Sequence, residues 1–281
     1  MPYSSIATFR GKIGATVELA FRRRSNAESR RLQVSVSPTR PGVAFAAATE
    51  ASARIIEREG GRIGYVHIWW SNEATAFKNA LARLEPQGIV QERLRLKGVS
   101  IIPNTLSGAD VQLPKPLDFL IVDMRGRIGG NIAVADQYLE LLDAREKPYW
   151  GSERSIQRSD ARFRVVPGNP KNPPFRGRSA LLIDHHTRSA ADLMAHGYKR
   201  NAFGPVVGTP TAGAVSSGGL FVMPGDLLLY VAMSSFEFDG QRLEGVGVSP
   251  DHRVERPLPY AAGADPVLDA ALELLSKQAA K

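Results

Sequence analysis

The fold is decided by two segments of similar design, FLIVDMRGRIGG at 119–130 and ALLIDHHTRSAAD at 180–192. Each begins with an uninterrupted apolar run, reaches an aspartate, turns, and then enters a predicted helix, which after the first segment covers Ile132–Leu142. Apolar runs without alternation are typical of strands buried on both faces, and their alternation with helices indicates a parallel sheet. The sequence therefore predicts an α/β fold, a mainly parallel sheet with flanking helices.

The residues before these segments predict a β-pair and then the start of the core. Thr16–Phe21 and Leu32–Val36 alternate polar and apolar residues, which favours two paired strands joined by a loose turn. Pro38–Pro41 predicts a linker. A buried strand is predicted over Tyr65–Trp70, followed by a helix that is capped by Ser71 and runs to Leu84.

Three further regions complete the prediction. Gln87–Leu117 is long, uneven and basic, and indicates a surface insertion. Apolar stretches between Leu220 and Phe238 predict hairpins, with turns at Pro224-Gly225-Asp226 and Asp239-Gly240. A closing helix is predicted over Asp265–Leu275.

Composition excludes several classes of protein. The 281 residues contain no cysteine, so disulfides, thiolate nucleophiles and cysteine metal sites are excluded. No segment approaches the roughly 20 apolar residues of a membrane span, and the first residues lack the pattern of a signal peptide. The formal charge of +8 fits either a nucleic-acid footprint or a solvated arginine-rich surface. Since no nucleic-acid-binding motif accompanies the charge, the sequence favours the second interpretation and predicts no nucleic-acid partner.

Ser189 is the first candidate for chemistry because it lies where a helix begins after a strand. Backbone N–H groups in the first turn of a helix have no helical acceptor, and such groups can hold the oxyanion of a tetrahedral intermediate. The segment Ser189–Asp192 is also a capping box, in which the serine simply caps the helix. The local pattern by itself favours the cap, and the two roles can coexist.

Gly129-Gly130 ends the earlier strand unit and has two equal interpretations. A glycine pair lets the backbone approach a substrate carbonyl and offer a second N–H group to the oxyanion. The pair is equally consistent with a tight turn between strand and helix. A phosphate-binding loop is not supported, because no Gly-Lys-Ser/Thr follows.

A serine nucleophile also needs a base, and the five histidines do not identify one. His185 and His186 are close to Ser189 in sequence, but their turn can point either of them outward. His67 lies on a predicted buried strand, where a core role is more common. No metal site is supported, because no HxxxH or HExxH spacing occurs.

Taken together and in order, six segments resemble the C-terminal-processing, or tail-specific, serine peptidase family, which includes the tricorn protease core. The first resembles the end of that family's PDZ domain, the next its first core strand and glycine turn, and the fourth its nucleophile segment, which usually has Glu where this chain has Asp192. The segments are Phe9–Leu19, Arg62–Ile68, Asp123–Gly130, Thr187–Asp192, Val207–Gly213 and Leu243–Asp251.

The resemblance implies a crotonase-like or Clp-like core over 38–281, preceded by a PDZ-like remnant over 1–37. It implies hydrolysis of peptide bonds with Ser189 as the nucleophile, and an oxyanion hole formed by the N–H groups of Ala190 and of Gly129 or Gly130. A polypeptide substrate and no cofactor are expected, and the oligomeric state is not predicted. The resemblance further implies that the intact protein is exported to the periplasm.

The sequence departs from the family at the base. Many members place a lysine directly after the Val207–Gly213 segment, where this chain has Ala214. The tricorn-like branch takes a histidine from a segment before the PDZ domain and orients its site partly through a late glutamate. Glu244 is a candidate for that glutamate, and a plain turn residue is the equal alternative. We therefore expect weak or no activity from this chain alone, with a catalytically inert binding homologue or an acyl-thioester enzyme as competing hypotheses.

Overall fold

The structure is a computed structural model that describes most of the chain. The described residues are 11–37, 40–69, 74–84, 115–127, 129–142, 152–155, 163–165, 175, 177–225, 227–233, 236–256, 259 and 261–279. The strands are β1 (Thr16–Phe21), β2 (Arg30–Ser35), β3 (Arg54–Arg58), β4 (Gly61–His67), β5 (Phe119–Asp123), β6 (Ser152–Ser155), β7 (Phe163–Val165), β8 (Arg178–Ile183), β9 (Val206–Gly208), β10 (Gly218–Met223), β11 (Leu227–Ala232), β12 (Phe236–Phe238), β13 (Gln241–Arg242) and β14 (His252–Arg253). The helices are α1 (Pro41–Ser52), α2 (Thr75–Leu84), α3 (Ile132–Glu140), α4 (Ala190–Arg200) and α5 (Pro266–Ala279).

A six-stranded sheet in the order β14-β9-β8-β5-β4-β3 forms the centre of the fold. All neighbouring strands in it are parallel except β3, which pairs antiparallel with β4 at one edge. The predicted mainly parallel α/β fold is thereby confirmed. Since the strands are parallel, the segments that follow β5 and β8 emerge at the same end of the sheet.

The central strands are covered on both faces, which explains their unbroken apolar runs. Leu120 and Val122 of β5 pack in a cluster with residues of α2, α3 and α4. Phe119 and Ile121, which alternate with them, pack in a second cluster against α5. Burial of an aliphatic or aromatic side chain contributes about 1.5–3 kcal/mol, so the alternating faces of β5 hold both helical layers to the sheet.

Several boundaries differ from the prediction. The linker predicted over Pro38–Pro41 overlaps α1, because Pro41 is the first residue of that helix. The sequence did not predict α1. Helix α2 begins at Thr75, and the proposed cap Ser71 lies outside the described residues. Nearly all of the predicted insertion, up to residue 114, also lies outside them.

The remaining strands form three small antiparallel sheets. The predicted pair of β1 and β2 is confirmed, with Thr16 opposite Ser35, whereas the assignment of 1–37 to a PDZ remnant stays a prediction. Strands β10 and β11 form the predicted hairpin. The predicted turn at Asp239-Gly240 joins β12 to β13, which pair antiparallel. Strands β6 and β7 extend this pair to a four-stranded sheet, which the sequence did not predict. Within the described part of the chain, no helix is both long and apolar enough to cross a bilayer.

Candidate active site

The turns that follow β5 and β8 are tied together by a single carboxylate. Asp184 Oδ1, at the end of β8, accepts hydrogen bonds of 3.0 Å from the backbone N–H groups of Gly126, His186 and Thr187. The Thr187 hydroxyl in turn donates to the carbonyl of Met124 at 2.9 Å. Two turns that are distant in sequence are therefore held side by side at one end of the sheet.

Ser189 lies at the end of the second turn in a strained conformation. Its φ of 59° and ψ of −126° fall in a region that non-glycine residues rarely adopt and that is common at functional sites. Its side chain makes no capping hydrogen bond to α4. The hydroxyl therefore does not serve the simple capping role that the local sequence favours. The residue is partly exposed to solvent.

The glycine turn lies directly against Ser189. A β-carbon built on Gly129 would lie 2.6 Å from the Ser189 β-carbon, 3.1 Å from its Oγ and 2.9 Å from the carbonyl oxygen of Arg188. Gly129 and Gly130 have φ values of 94° and 142°, which glycine adopts without strain. The first residue of α4 is Ala190, whose N–H group therefore has no acceptor within the helix. The structure thus brings Ser189, Ala190 and the glycine turn together.

Asp192 makes one half of the predicted capping box, since it accepts a hydrogen bond from the Ser189 amide, and it makes further contacts that the pattern does not predict. Its carboxylate is fully buried and accepts hydrogen bonds from the backbone N–H groups of Gly213, at 3.0 Å, and Ala214, at 3.2 Å. Burial raises the pKa of Asp192, and hydrogen bonds from Thr211, the two loop amides and the Ser189 amide oppose this shift. One side chain therefore connects the backbone of Ser189 to the loop that follows β9.

Glu244 anchors the same loop from the other side. Its Oε2 accepts hydrogen bonds from the backbone N–H groups of Val215, at 2.8 Å, and Ser216, at 2.7 Å. The Gly245 amide donates to the carbonyl of Gly213 at 2.7 Å. Glu244 is thus more than a turn residue, because it fixes the backbone next to Ala214.

Comparison with known proteins assigns the sequence that forms this arrangement to a family. The sequence model of Peptidase family S41 matches residues 106–254, just over half of the chain, including both turns and the two anchored loops. The chain belongs to peptidase family S41. The resemblance stated from the sequence is confirmed, apart from its PDZ part.

One curated relative is Tricorn protease homolog 1 of Streptomyces coelicolor, 25% identical over 269 residues. The match covers 94% of this chain but only 22% of the relative. Three solved structures share the fold. They are the tricorn protease (TM-score 0.54, 20% identity, 98% of this chain and 23% of that one), a photosystem II D1 C-terminal processing protease (0.53, 16%, 99% and 63%) and a putative S41 protease from Bacteroides fragilis (0.58, 15%, 97% and 70%).

The histidines of this S41 chain occupy four different environments. The ring of His67 stacks on Trp69 at 3.9 Å, and its Nε2 lies 2.8 Å from the carbonyl oxygen of Arg125. His185 and His186 are exposed, and their rings lie 3.9 Å apart. His196 is a residue of α4, and its ring lies 5.7 Å from that of Phe238. His252 is exposed on β14. The general base thus stays unassigned.

A buried ion network holds the end of β5 to the start of α5. Arg125 donates to Asp123 at 2.6 Å and to both carboxylate oxygens of Asp265, at 2.6 and 2.8 Å. Burial acts to raise the pKa of Asp123, but hydrogen bonding to Arg125 and the charges of His67 and Arg125 leave that pKa below its ordinary value. The pKa of Asp265 is also lowered, because hydrogen bonding to Arg125 outweighs burial.

Arg127, between the two turns, is buried in an unusual environment. Its Nη1 lies 3.4 Å from the sulfur of Met194, and its guanidinium lies 4.9 Å from the Tyr138 ring centre. Its Nε and Nη2 have no hydrogen-bond partner among the residues that the structure describes. Burial lowers the pKa of Arg127 to about 10, although Tyr138 opposes the shift.

The residues that the structure describes contain no cluster of three His, Asp or Glu side chains that could hold a metal ion.

Proposed function

We propose that this chain is the catalytic core of a serine peptidase with Ser189 as its nucleophile. The observation that carries the proposal is the contact between Gly129 and Ser189, because it places the strained serine beside a turn that can supply a backbone N–H group. The oxyanion hole is formed by the N–H of Ala190 together with that of Gly129 or Gly130.

The reaction follows from these groups. The Ser189 Oγ attacks the carbonyl carbon of a peptide bond while a base accepts its proton, and the negative oxygen of the tetrahedral intermediate binds the backbone N–H groups. When the intermediate collapses, the C–N bond breaks, the amine leaves with the proton and an ester forms on Ser189. Water then hydrolyses the ester and regenerates the serine. The substrate is a polypeptide.

The general base comes from outside the 281 residues. Ala214 stands where the resemblance places a lysine in many relatives, and its amide is held by Asp192. Removing the base in triad enzymes lowers turnover on the order of 10⁴-fold or more, so weak or no turnover by the chain alone is expected. The periplasmic location stays a prediction from the resemblance.

The test is covalent labelling by a fluorophosphonate, with the modified residue located by mass spectrometry. We expect slow but site-selective modification of Ser189, complete loss of that adduct in Ser189→Ala, and unchanged labelling in Ser249→Ala, which alters an exposed serine on another loop. If a saturating probe labels an active S41 relative but leaves Ser189 unmodified in a longer chain that supplies the base, the nucleophile assignment is wrong.

The second candidate is a catalytically inert peptide- or ligand-binding homologue on the same fold. It is favoured by Ala214 and by the engagement of Glu244 with two backbone amides. Peptide binding of equal strength by the wild type and Ser189→Ala, without hydrolysis or labelling, would support it. Peptide hydrolysis that disappears in Ser189→Ala would exclude it.

A further inference from the structure

The hairpin of β10 and β11 is unusual because it is apolar on both faces and exposed. Ten large apolar side chains from Leu220 to Met233 each expose between 41% and 77% of their surface. Neither strand contains a charged residue, and the only charged residue in the sequence between Gly218 and Met233 is Asp226. Surface strands of soluble proteins normally alternate apolar and polar residues, so this composition needs an explanation.

The strand register shows which face is more open. Leu220 lies opposite Tyr230, and Val222 lies opposite Leu228, so these four side chains share one face of the hairpin. They expose 61%, 61%, 77% and 64% of their surfaces, respectively. Most apolar residues on the opposite face expose less than half. We refer to Leu220, Val222, Leu228 and Tyr230 as the open face.

The hairpin also lacks strand partners. In the part of the chain that the structure describes, β10 and β11 pair only with each other, so both outer edges present unpaired backbone groups. An isolated two-stranded hairpin is at best marginally stable in water. Summed over both faces, its exposed apolar surface is roughly 1,000 Å², and about half of this lies on the open face. The open face alone is therefore at the upper end of the roughly 300–600 Å² that the largest patch of a typical monomer covers, a size that is often functional. Such a surface is expected to be covered in solution.

We propose that the β10–β11 hairpin is the surface through which two copies of this chain associate. The open face contributes roughly 500 Å² per copy, so two copies bury about 1,000 Å² in total, which fits a weak, reversible dimer. The antiparallel edges and the open face are self-complementary about a two-fold axis, which is the usual symmetry of homodimers. Because the strands are uncharged, two copies of a chain with net charge +8 bring no like charges into direct contact here, and salt screens the remaining repulsion.

Charge argues against a lipid surface as the occupant. Peripheral membrane-binding elements combine apolar residues with lysine or arginine that contact anionic headgroups. The sequence from Gly218 to Met233 has no basic residue, and its one charged residue is an aspartate. The assembly inference goes beyond the proposed peptidase function and does not depend on it.

Light scattering after size exclusion tests the proposal on the whole chain. We expect a dimer at about 10–100 μM and a monomer for V222K/L228E, which replaces apolar residues of the open face with an opposite-charge pair across the strands. Such a pair supports the hairpin itself. The matched control is L19E/L32K, which makes the same change at the opposed positions of β1 and β2 and should stay dimeric.

A monomeric wild type, or a dimer that persists in V222K/L228E, overturns the proposal, as does flotation of a monomeric chain with phosphatidylglycerol vesicles. If V222K/L228E fails to fold, as judged by circular dichroism, cysteine cross-linking decides the question. Since the chain has no cysteine, Val222→Cys introduces a single thiol. A short bis-maleimide should join Val222→Cys into dimers and leave Leu32→Cys monomeric, and equal cross-linking of both overturns the proposal.

Discussion

Gly129 packs so closely on Ser189 that a β-carbon on the glycine would lie 2.6 Å from the β-carbon of the serine. The two residues belong to turns that follow neighbouring parallel strands, β5 and β8. Their contact is maintained by Asp184, which accepts backbone N–H groups from both turns. A side chain at position 129 would therefore occupy the space beside Ser189, where the proposed mechanism puts the substrate carbonyl.

Replacement of Gly129 by alanine should strongly impair Ser189. The methyl group would clash with the Ser189 β-carbon and with the Arg188 carbonyl at 2.9 Å, and φ is 94°, so either the turn or the serine must move. We expect the rate of fluorophosphonate labelling to fall ~100-fold, as for loss of an oxyanion donor.

The control for this prediction is Gly126→Ala, whose labelling rate is compared with that of Gly129→Ala. Gly126 has a φ of 75° with nothing within 4 Å of an added β-carbon, so its variant should lose about 1 kcal/mol of stability and keep its reactivity. Equal labelling of both variants would contradict the proposed geometry.

Glu244 should act through the backbone of Val215 and Ser216. Glu244→Ala removes the acceptor of two partly buried N–H groups, and each unsatisfied group costs about 1–3 kcal/mol. Glu244→Gln keeps an oxygen at that place and should recover most of the loss. Urea unfolding measures the stability, and the labelling rate of Ser189 reports whether the loop supports the site. If the alanine and glutamine variants lose equal stability, the negative charge and not the acceptor is what matters.

We expect Arg127 to lower the free energy of unfolding of the folded chain. Its guanidinium is fully buried, with Nε and Nη2 unpaired among the described residues. Because replacement of buried charge by apolar groups of similar volume often stabilises proteins by about 1–4 kcal/mol, Arg127→Met should raise the free energy of unfolding. Chemical denaturation checks this, with Arg242→Met, an exposed arginine on β13, as the control. A large loss of stability in Arg127→Met would show that the guanidinium is satisfied after all.

The sequence predicted the sheet because burial leaves a direct signature. Strands β5 and β8 are covered on both faces, so nearly all their residues are apolar. Helix α1 left no comparable signature, because among its described residues only Thr49 is buried and its many alanines lack an amphipathic pattern. Its first residue, Pro41, was consequently interpreted as part of a linker, although proline is favoured at the first position of a helix.

The candidate site could be predicted only where it depends on strand ends. A parallel-sheet prediction places Ser189 and Gly129 at the same edge of the sheet, and the family resemblance pairs them. That β5 and β8 are neighbours is seen only in the structure. The partners of Asp192 lie 21 and 22 positions away in the sequence, and those of Glu244 lie 28 and 29 positions away. These are contacts to backbone amides, which carry no residue-specific signal. Sequence patterns therefore could not reveal how the two carboxylates hold the loop.

The network around Arg125 predicts how stability depends on pH. The pKa values of Asp123 and Asp265 lie below their ordinary range in the folded chain, so the unfolded chain binds more protons once the pH falls to the ordinary aspartate pKa. The contribution of these groups is therefore fully present above about pH 4–5 and is lost as the pH falls through their folded pKa values.

Asp123→Asn should lower the free energy of unfolding by about 3–5 kcal/mol at pH 7, because it breaks a buried ion pair. The variant should also lose less stability in acid than the wild type does. Urea unfolding between about pH 3 and pH 7 measures both effects. The control is Glu273→Gln, which alters an exposed pair with Lys277 and should leave the acid profile nearly unchanged. An Asp123→Asn variant with the wild-type acid slope would mean that the carboxyl of Asp123 is not the group that titrates.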